Sequence, residues 1–138
     1  MKDAISVGIK HTHTFQVNDN KTVAKLYPEA DSFQIMPPVF ATGFMVGFLE
    51  WACMEAIKDY LEDDERTVGT HIDVSHQAAT PVGMTVTANV ELSKIDGKKL
   101  TFLVEAFDEK DCIGKGTHER FVINHEKFLE RLKAKADA

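Results

Sequence analysis

The chain has 138 residues, 43% of them hydrophobic and 28% charged, with a formal net charge of −6. That length gives one domain a core of its own, and the composition is that of a soluble globular protein. The acidic balance leaves no basic patch large enough to neutralise a nucleic-acid backbone, which argues against DNA or RNA as a main partner.

The longest apolar run, residues 39–54, falls short of the roughly 20 residues a bilayer span needs, and MKDAISVGIK has no hydrophobic stretch or cleavage site of a secretory signal. A single cytoplasmic domain, 1–138, with no membrane association is the expectation. Two cysteines, Cys53 and Cys112, are too few for a disulfide framework and read as reduced packing residues.

Residues 4–17 alternate with a period of two, Ile5, Val7, Ile9, His11, His13, Phe15 and Val17 sharing one parity, which predicts a strand. No Cys, Asp or Glu stands at a metal-ligand spacing from His11 and His13, so they read as solvated strand histidines and no metal is expected. Residues 18–38 open on NDN and close on MPP, a long connection with a possible short helix at 22–26. Connections of this length often act as lids. Val23, Leu26, Tyr27, Phe33, Ile35 and Met36 are the apolar residues able to cover a pocket, or simply to pack on the core.

From residue 40 to 61 apolar residues recur at helical spacing, which predicts one helix of about five turns. Its first half is apolar all round, as in a helix enclosed by a sheet or a partner, and its second half is amphipathic. Residues 66–124 read as four long strands. In the first, Val68, Thr70, Ile72, Val74, His76 and Ala78 share an apolar face and Gly69, His71 and Asp73 lie opposite. Asp96-Gly97 marks a hairpin, residues 108–111 a second turn, and residues 125–135 a charged terminal helix. The predicted class is α+β: an antiparallel meander curved around one apolar helix, the hotdog arrangement, with edge strands covered by a second subunit.

Within VFATGFMVGFLEWACM only Thr42 and Glu50 carry a hydroxyl or a carboxyl group. Burying a carboxylate costs several kcal/mol unless it is paired, hydrogen-bonded or protonated. Glu50 is therefore a candidate base, nucleophile or orienting group, or a structural acid bonded to a basic residue. Thr42 offers a nucleophilic or donating hydroxyl, with a helix N-cap as the alternative. His76, on an apolar face, is a proton shuttle or a satisfied core histidine. On a straight helix, Thr42 and Glu50 stand about 12 Å and about 80° apart. They meet only if the helix starts late, bends near Gly43 or Gly47, or draws one group from a neighbouring subunit.

The segments VFATGFMVGFLEWAC, GTHIDVSHQAATPVGMTV and GKGTHERFVI, in this order and spacing, resemble the hotdog acyl-CoA thioesterases of the fluoroacetyl-CoA thioesterase type, over nearly the whole chain. In that family a Thr, a Glu and a His act together on the thioester, which implies Thr42, Glu50 and His76. Gly69 then becomes a candidate oxyanion donor through its backbone N–H, or else a bulge glycine. Arg120 becomes a candidate for the phosphate or pantetheine of CoA, or else a partner of Glu119 or Asp108. Lys94, Lys98 and Lys99 add charge around a hairpin. Val23, Leu26, Phe33 and Met36 would line the acyl end, Met36 standing where the fluoroacetyl-specific members carry a gating aromatic. The implied protein is a homodimeric thioesterase for a short-chain acyl-CoA, possibly substituted or halogenated, without metal or redox cofactor. A hydratase of the same fold and a non-catalytic acyl-CoA-binding module are the alternatives.

Overall fold

The computed structural model describes residues 1–138. Its strands are β1 (Lys10–Gln16), β2 (Glu65–Val74), β3 (Thr85–Asp96), β4 (Lys99–Phe107) and β5 (Cys112–Asn124). Its helices are α1 (Asp31–Gln34), α2 (Thr42–Ile57) and α3 (His125–Asp137). The five strands form one antiparallel sheet in the order β1-β3-β4-β5-β2. None of the helices is long and apolar enough to cross a membrane.

The alternation read from the sequence sets the core. Val86, Ala88, Val90 and Leu92 of β3 and Leu100, Phe102, Val104 and Ala106 of β4 point to one side of the sheet and are buried. Against them lie Met45, Phe48, Leu49, Ala52, Cys53, Ala56 and Ile57 of α2, the buried face of the helix. Gly97 takes φ +60° in the hairpin, as an Asp-Gly turn requires.

Four expectations are corrected. The strand predicted for 4–17 spans only Lys10–Gln16: Gly8 has φ +100°, which breaks the extended chain, and the first residues fold back as turns. His11 and His13 are half-buried rather than solvated, and the His13 ring meets Trp51 edge-on at 4.1 Å. The meander holds only for β3-β4-β5, because β2 pairs with β5 at the far edge instead of with β3. The central helix ends at Ile57, short of residue 61, in a 3-10 turn over Lys58–Tyr60, and within the chain the sheet covers only one of its sides, which leaves the partner as the expected cover for the other. Trp51 and Met54 are each 46% exposed on that open face.

The decisive local feature is in β2. The register slips between Gly69 and His71, so that Gly69 lies opposite Arg120 while Ile72 lies opposite His118. Paired residues of antiparallel strands share a face, and one extra residue reverses the parity of all that follow. Thr67 and Gly69 therefore face α2 before the bulge, and Ile72 and Val74 face it afterwards. A regular strand would have turned Gly69 and His76 to opposite sides.

Replacing Leu49, fully buried at the centre of the α2–sheet contact, with Ala is expected to cost about 2–5 kcal/mol. Urea denaturation should show a lower midpoint with an unchanged slope.

Candidate active site

Two polar clusters lie along one flank of α2. The first joins Thr42 to His76. Thr42 is the first residue of the helix rather than its cap, a position taken by Ala41, which makes no side-chain capping bond. Its place is fixed from both sides: Ala41 N–H donates to Lys21 O at 3.0 Å and Phe40 N–H to Thr80 O at 2.8 Å. Thr80 is fully buried, and its hydroxyl donates to Asp108 at 2.9 Å. His76 follows β2 on a segment held to β5 by Ser75 N–H to Lys115 O and Gln77 N–H to Ile113 O.

These restraints bring Thr42 Oγ1 and His76 Nδ1 to 2.7 Å. His76 Nε2 is buried and makes no hydrogen bond within the chain. Burial pushes the His76 imidazole below its ordinary value, leaving it a neutral base at pH 7.

The second cluster is built on Glu50. Arg120, 3% exposed, donates from Nη1 to Glu50 Oε2 at 3.0 Å. Its Nε donates to Thr67 Oγ1 at 2.8 Å and its Nη2 to Thr67 O at 2.9 Å. Nη1 also lies 3.1 Å from His118 Nε2. The apolar surroundings inferred for Glu50 thus contain a buried guanidinium, and the partner of Arg120 is Glu50 rather than Glu119 or Asp108. With its fork committed to Thr67, Glu50 and His118, Arg120 faces the interior, away from any phosphate at the surface. Cys53 sits close by, its thiol pushed up to about 12 by burial, and so is inert.

Gly69 closes this cluster. A Cβ built on it would stand 2.8 Å from Glu50 Oε2, 3.2 Å from His118 Cε1 and 3.4 Å from Arg120 Nη1. The glycine is what lets β2 approach the carboxylate. A groove of about 380 Å³ runs here between helix and strand, lined by Val46, Glu50, Gly69, Thr70, His71, Ile72 and His118.

The lid residues divide. Leu26, after a 3-10 turn at Val23–Lys25, packs on Gly43, where its Cδ2 would stand 2.9 Å from an added Cβ. Val23 donates its N–H to Val39 O, so both lie beside the first turn of α2 and Thr42. Phe33, on α1, is half-buried with its ring 6.0 Å from Tyr27. Met36 is 50% exposed and stands away from the core.

Thr42, Glu50 and His76 do not converge within one chain. Helix α2 is regular from Thr42 to Ile57, which leaves about 12 Å of axial rise between Thr42 and Glu50. A late start or a bend is thereby removed as a solution. His118 and Thr67 are polar groups of the site that the sequence reading passed over. The signal was His118 and Arg120 at alternate positions on the inward face of a strand whose next inward residue is Val122.

The family model described as fluoroacetyl-CoA-specific thioesterase matches residues 17–126. The chain belongs to that family. A fluoroacetyl-CoA thioesterase from Streptantibioticus cattleyicolor is 51% identical over 138 residues, covering 100% of this chain and 99% of the relative. A threonine-to-serine variant of a fluoroacetyl-CoA thioesterase, solved with acetyl-CoA, superposes with a TM-score of 0.94 at 50% identity, over 95% of this chain and 98% of the other. A hot-dog-like protein from Thermanaerovibrio acidaminovorans shares the fold at TM-score 0.80 and 18% identity, over 95% and 93% of the two chains. The hotdog architecture expected from the sequence is thus the one observed.

Two outcomes follow from the site's geometry. Gly69→Ala should displace the Glu50 carboxylate and lower kcat about tenfold or more, the scale of a small misplacement of reacting groups, as measured by steady-state turnover. His13, His76 and His118 all titrate below the ordinary imidazole value, each chiefly through burial. Below about pH 6.5 the unfolded chain therefore takes up protons that the folded chain refuses. Stability should be full above that pH and fall as the pH drops through the window below it; a urea midpoint that stays constant from pH 7 to pH 5 would contradict this.

Proposed function

We propose that the protein hydrolyses a short-chain acyl-CoA, substituted or halogenated ones included, to the acid and free CoA. The observation that carries the reading is the 2.7 Å contact between the Thr42 hydroxyl and a neutral His76, in a chain of the fluoroacetyl-CoA-specific thioesterase family. The curated relative is named for fluoroacetyl-CoA. Met36 replaces the gating aromatic of the fluoroacetyl-specific members with a flexible side chain, so acyl-CoA hydrolysis transfers to this chain more directly than selectivity for fluorine.

His76 Nδ1 accepts the Thr42 proton as Thr42 Oγ attacks the thioester carbon. The C–S bond breaks, the imidazolium returns the proton to the leaving thiolate, and water then cleaves the acyl-threonine by the same base. The backbone N–H of Gly69 is the donor offered to the developing oxyanion.

The functional unit in this reading is a homodimer. Three features support it: β2 is an edge strand with its outer side unpaired, the outer face of α2 is apolar and open, and Glu50 lies beyond reach of His76 in its own chain. A two-fold axis beside α2 sets the helices antiparallel and carries Glu50 and Gly69 of one protomer toward Thr42 and His76 of the other. Glu50 of the partner subunit is then available to His76 Nε2.

The test is thiol release from a panel of acetyl-, propionyl-, branched and halogenated acyl-CoAs. Turnover on at least one is expected, and no release above background on any would refute the reading. His76→Ala should lower kcat/KM by about 10²–10⁴, the usual contribution of a positioned base. Wild-type activity should fall on acidification as His76 Nδ1 takes a proton; a profile flat from pH 7 to pH 5 would remove His76 as the base.

A further inference from the structure

Arg120 and Glu50 are held in place by a third group whose chemical state the structure defines. His118 is 2% exposed on the inner face of β5. Its Nδ1 lies 2.7 Å from the backbone carbonyl of His71. A carbonyl oxygen only accepts, so Nδ1 carries the proton. Its Nε2 lies 3.1 Å from Arg120 Nη1, and a guanidinium only donates, so Nε2 is the bare acceptor. His118 is therefore a neutral imidazole in a single tautomer, and burial lowers its proton affinity further.

The two bonds reach the two parts of the Glu50 cluster. Through Nδ1, His118 grips β2 at His71, the residue at which the register resumes after the bulge. Arg120 grips the same strand at Thr67 by two bonds. Thr67 and His71 flank Gly69, so His118 and Arg120 form a clamp across the bulge that turns Gly69 toward α2. Through Nε2, His118 also takes up one Nη1 hydrogen of Arg120 while that same nitrogen donates to Glu50.

We propose that His118 is a positioning residue: by locking the Gly69 bulge and the Arg120 fork together, it sets the Glu50 carboxylate and the Gly69 backbone in their working geometry. The inference rests on the thioesterase reading for its kinetic consequence, and on the fold alone for its structural one. Its two bonds can be removed separately. His118→Asn keeps a donor at the Nδ1 position and loses the acceptor toward Arg120. His118→Gln keeps an acceptor near the Nε2 position and loses the grip on His71. His118→Leu removes both.

The experiment measures kcat and KM for all three variants on the best acyl-CoA of the panel, with thermal melts to establish folding. Nitrogen-detected NMR of the imidazoles and backbone amide spectra are recorded in parallel. His118→Leu should lose about 10- to 100-fold in kcat with KM changed less than threefold, and Asn and Gln should each restore part of the loss. Wild-type His118 should show the Nδ1-protonated tautomer. In each variant that folds, amide shifts should move at residues 67–71 more than at 42–45 or 75–77.

Folded variants with wild-type kcat would overturn the proposal. So would an Nε2-protonated ring, or amide shifts that leave 67–71 unmoved. If Leu fails to fold, Asn and Gln decide by the same criteria. If the wild-type protein releases no thiol at all, the thioesterase reading fails by itself, and the tautomer and the amide shifts still support or overturn the clamp.

Discussion

The site depends on one ion pair, a buried guanidinium held by a half-exposed carboxylate. Glu50 can occupy the flank of an otherwise apolar helix because Arg120 reaches it from β5, and Arg120 can be buried because Thr67, His118 and Glu50 together take up its donors. Removing Glu50 would leave the buried Arg120 charge without its counter-ion and destabilise the fold. The same contact explains the glycine: a Cβ at residue 69 would stand 2.8 Å from the Glu50 carboxylate oxygen and would have to displace it. Helix, sheet and bulge are coupled through these few atoms.

Seen from that pair, the chemistry divides in two. One half, Thr42 with His76, is a hydroxyl and a neutral base already in hydrogen-bond contact. The other half, Glu50 with Gly69, is a carboxylate and a backbone donor on an open groove. In the proposed reaction a thioester carbonyl needs groups from both within a few ångströms, and a single regular helix holds them about 12 Å apart. The open apolar face of α2 and the free edge of β2 border the groove on which the Glu50 half lies. In the proposed dimer, association would do more than bury Trp51 and Met54; it would assemble the site.

Much of this was legible in the sequence because it follows from period and composition. The inward residues of β3 and β4, the Asp-Gly hairpin and the extra polar residues Thr42 and Glu50 could all be read from pattern. The strand order could not, since β1, β2 and β5 do not announce their neighbours through their own alternation. Nor could the bulge: a simple period of two put Gly69 on the face opposite His76, and only the slipped register brings both to α2. Arg120 offered Glu119 and Asp108 as nearby partners, and its actual partner lies seventy residues away on the helix. His118 could be placed on the same strand face as Arg120 but given no role, because an imidazole on a strand gives no hint of which carbonyl it will meet.

The central claim, that the two halves of each site come from different protomers, is tested most directly by mixing subunits. His76→Ala and Glu50→Gln chains, each assayed alone, should be inactive. Unfolded together and refolded as mixed dimers, they should recover about a quarter of wild-type thiol release, because half of the dimers are mixed and each mixed dimer regains one of its two sites. No recovery, with mixed dimers demonstrated by mass spectrometry, would mean that His76 and Glu50 act within one chain and would contradict the account.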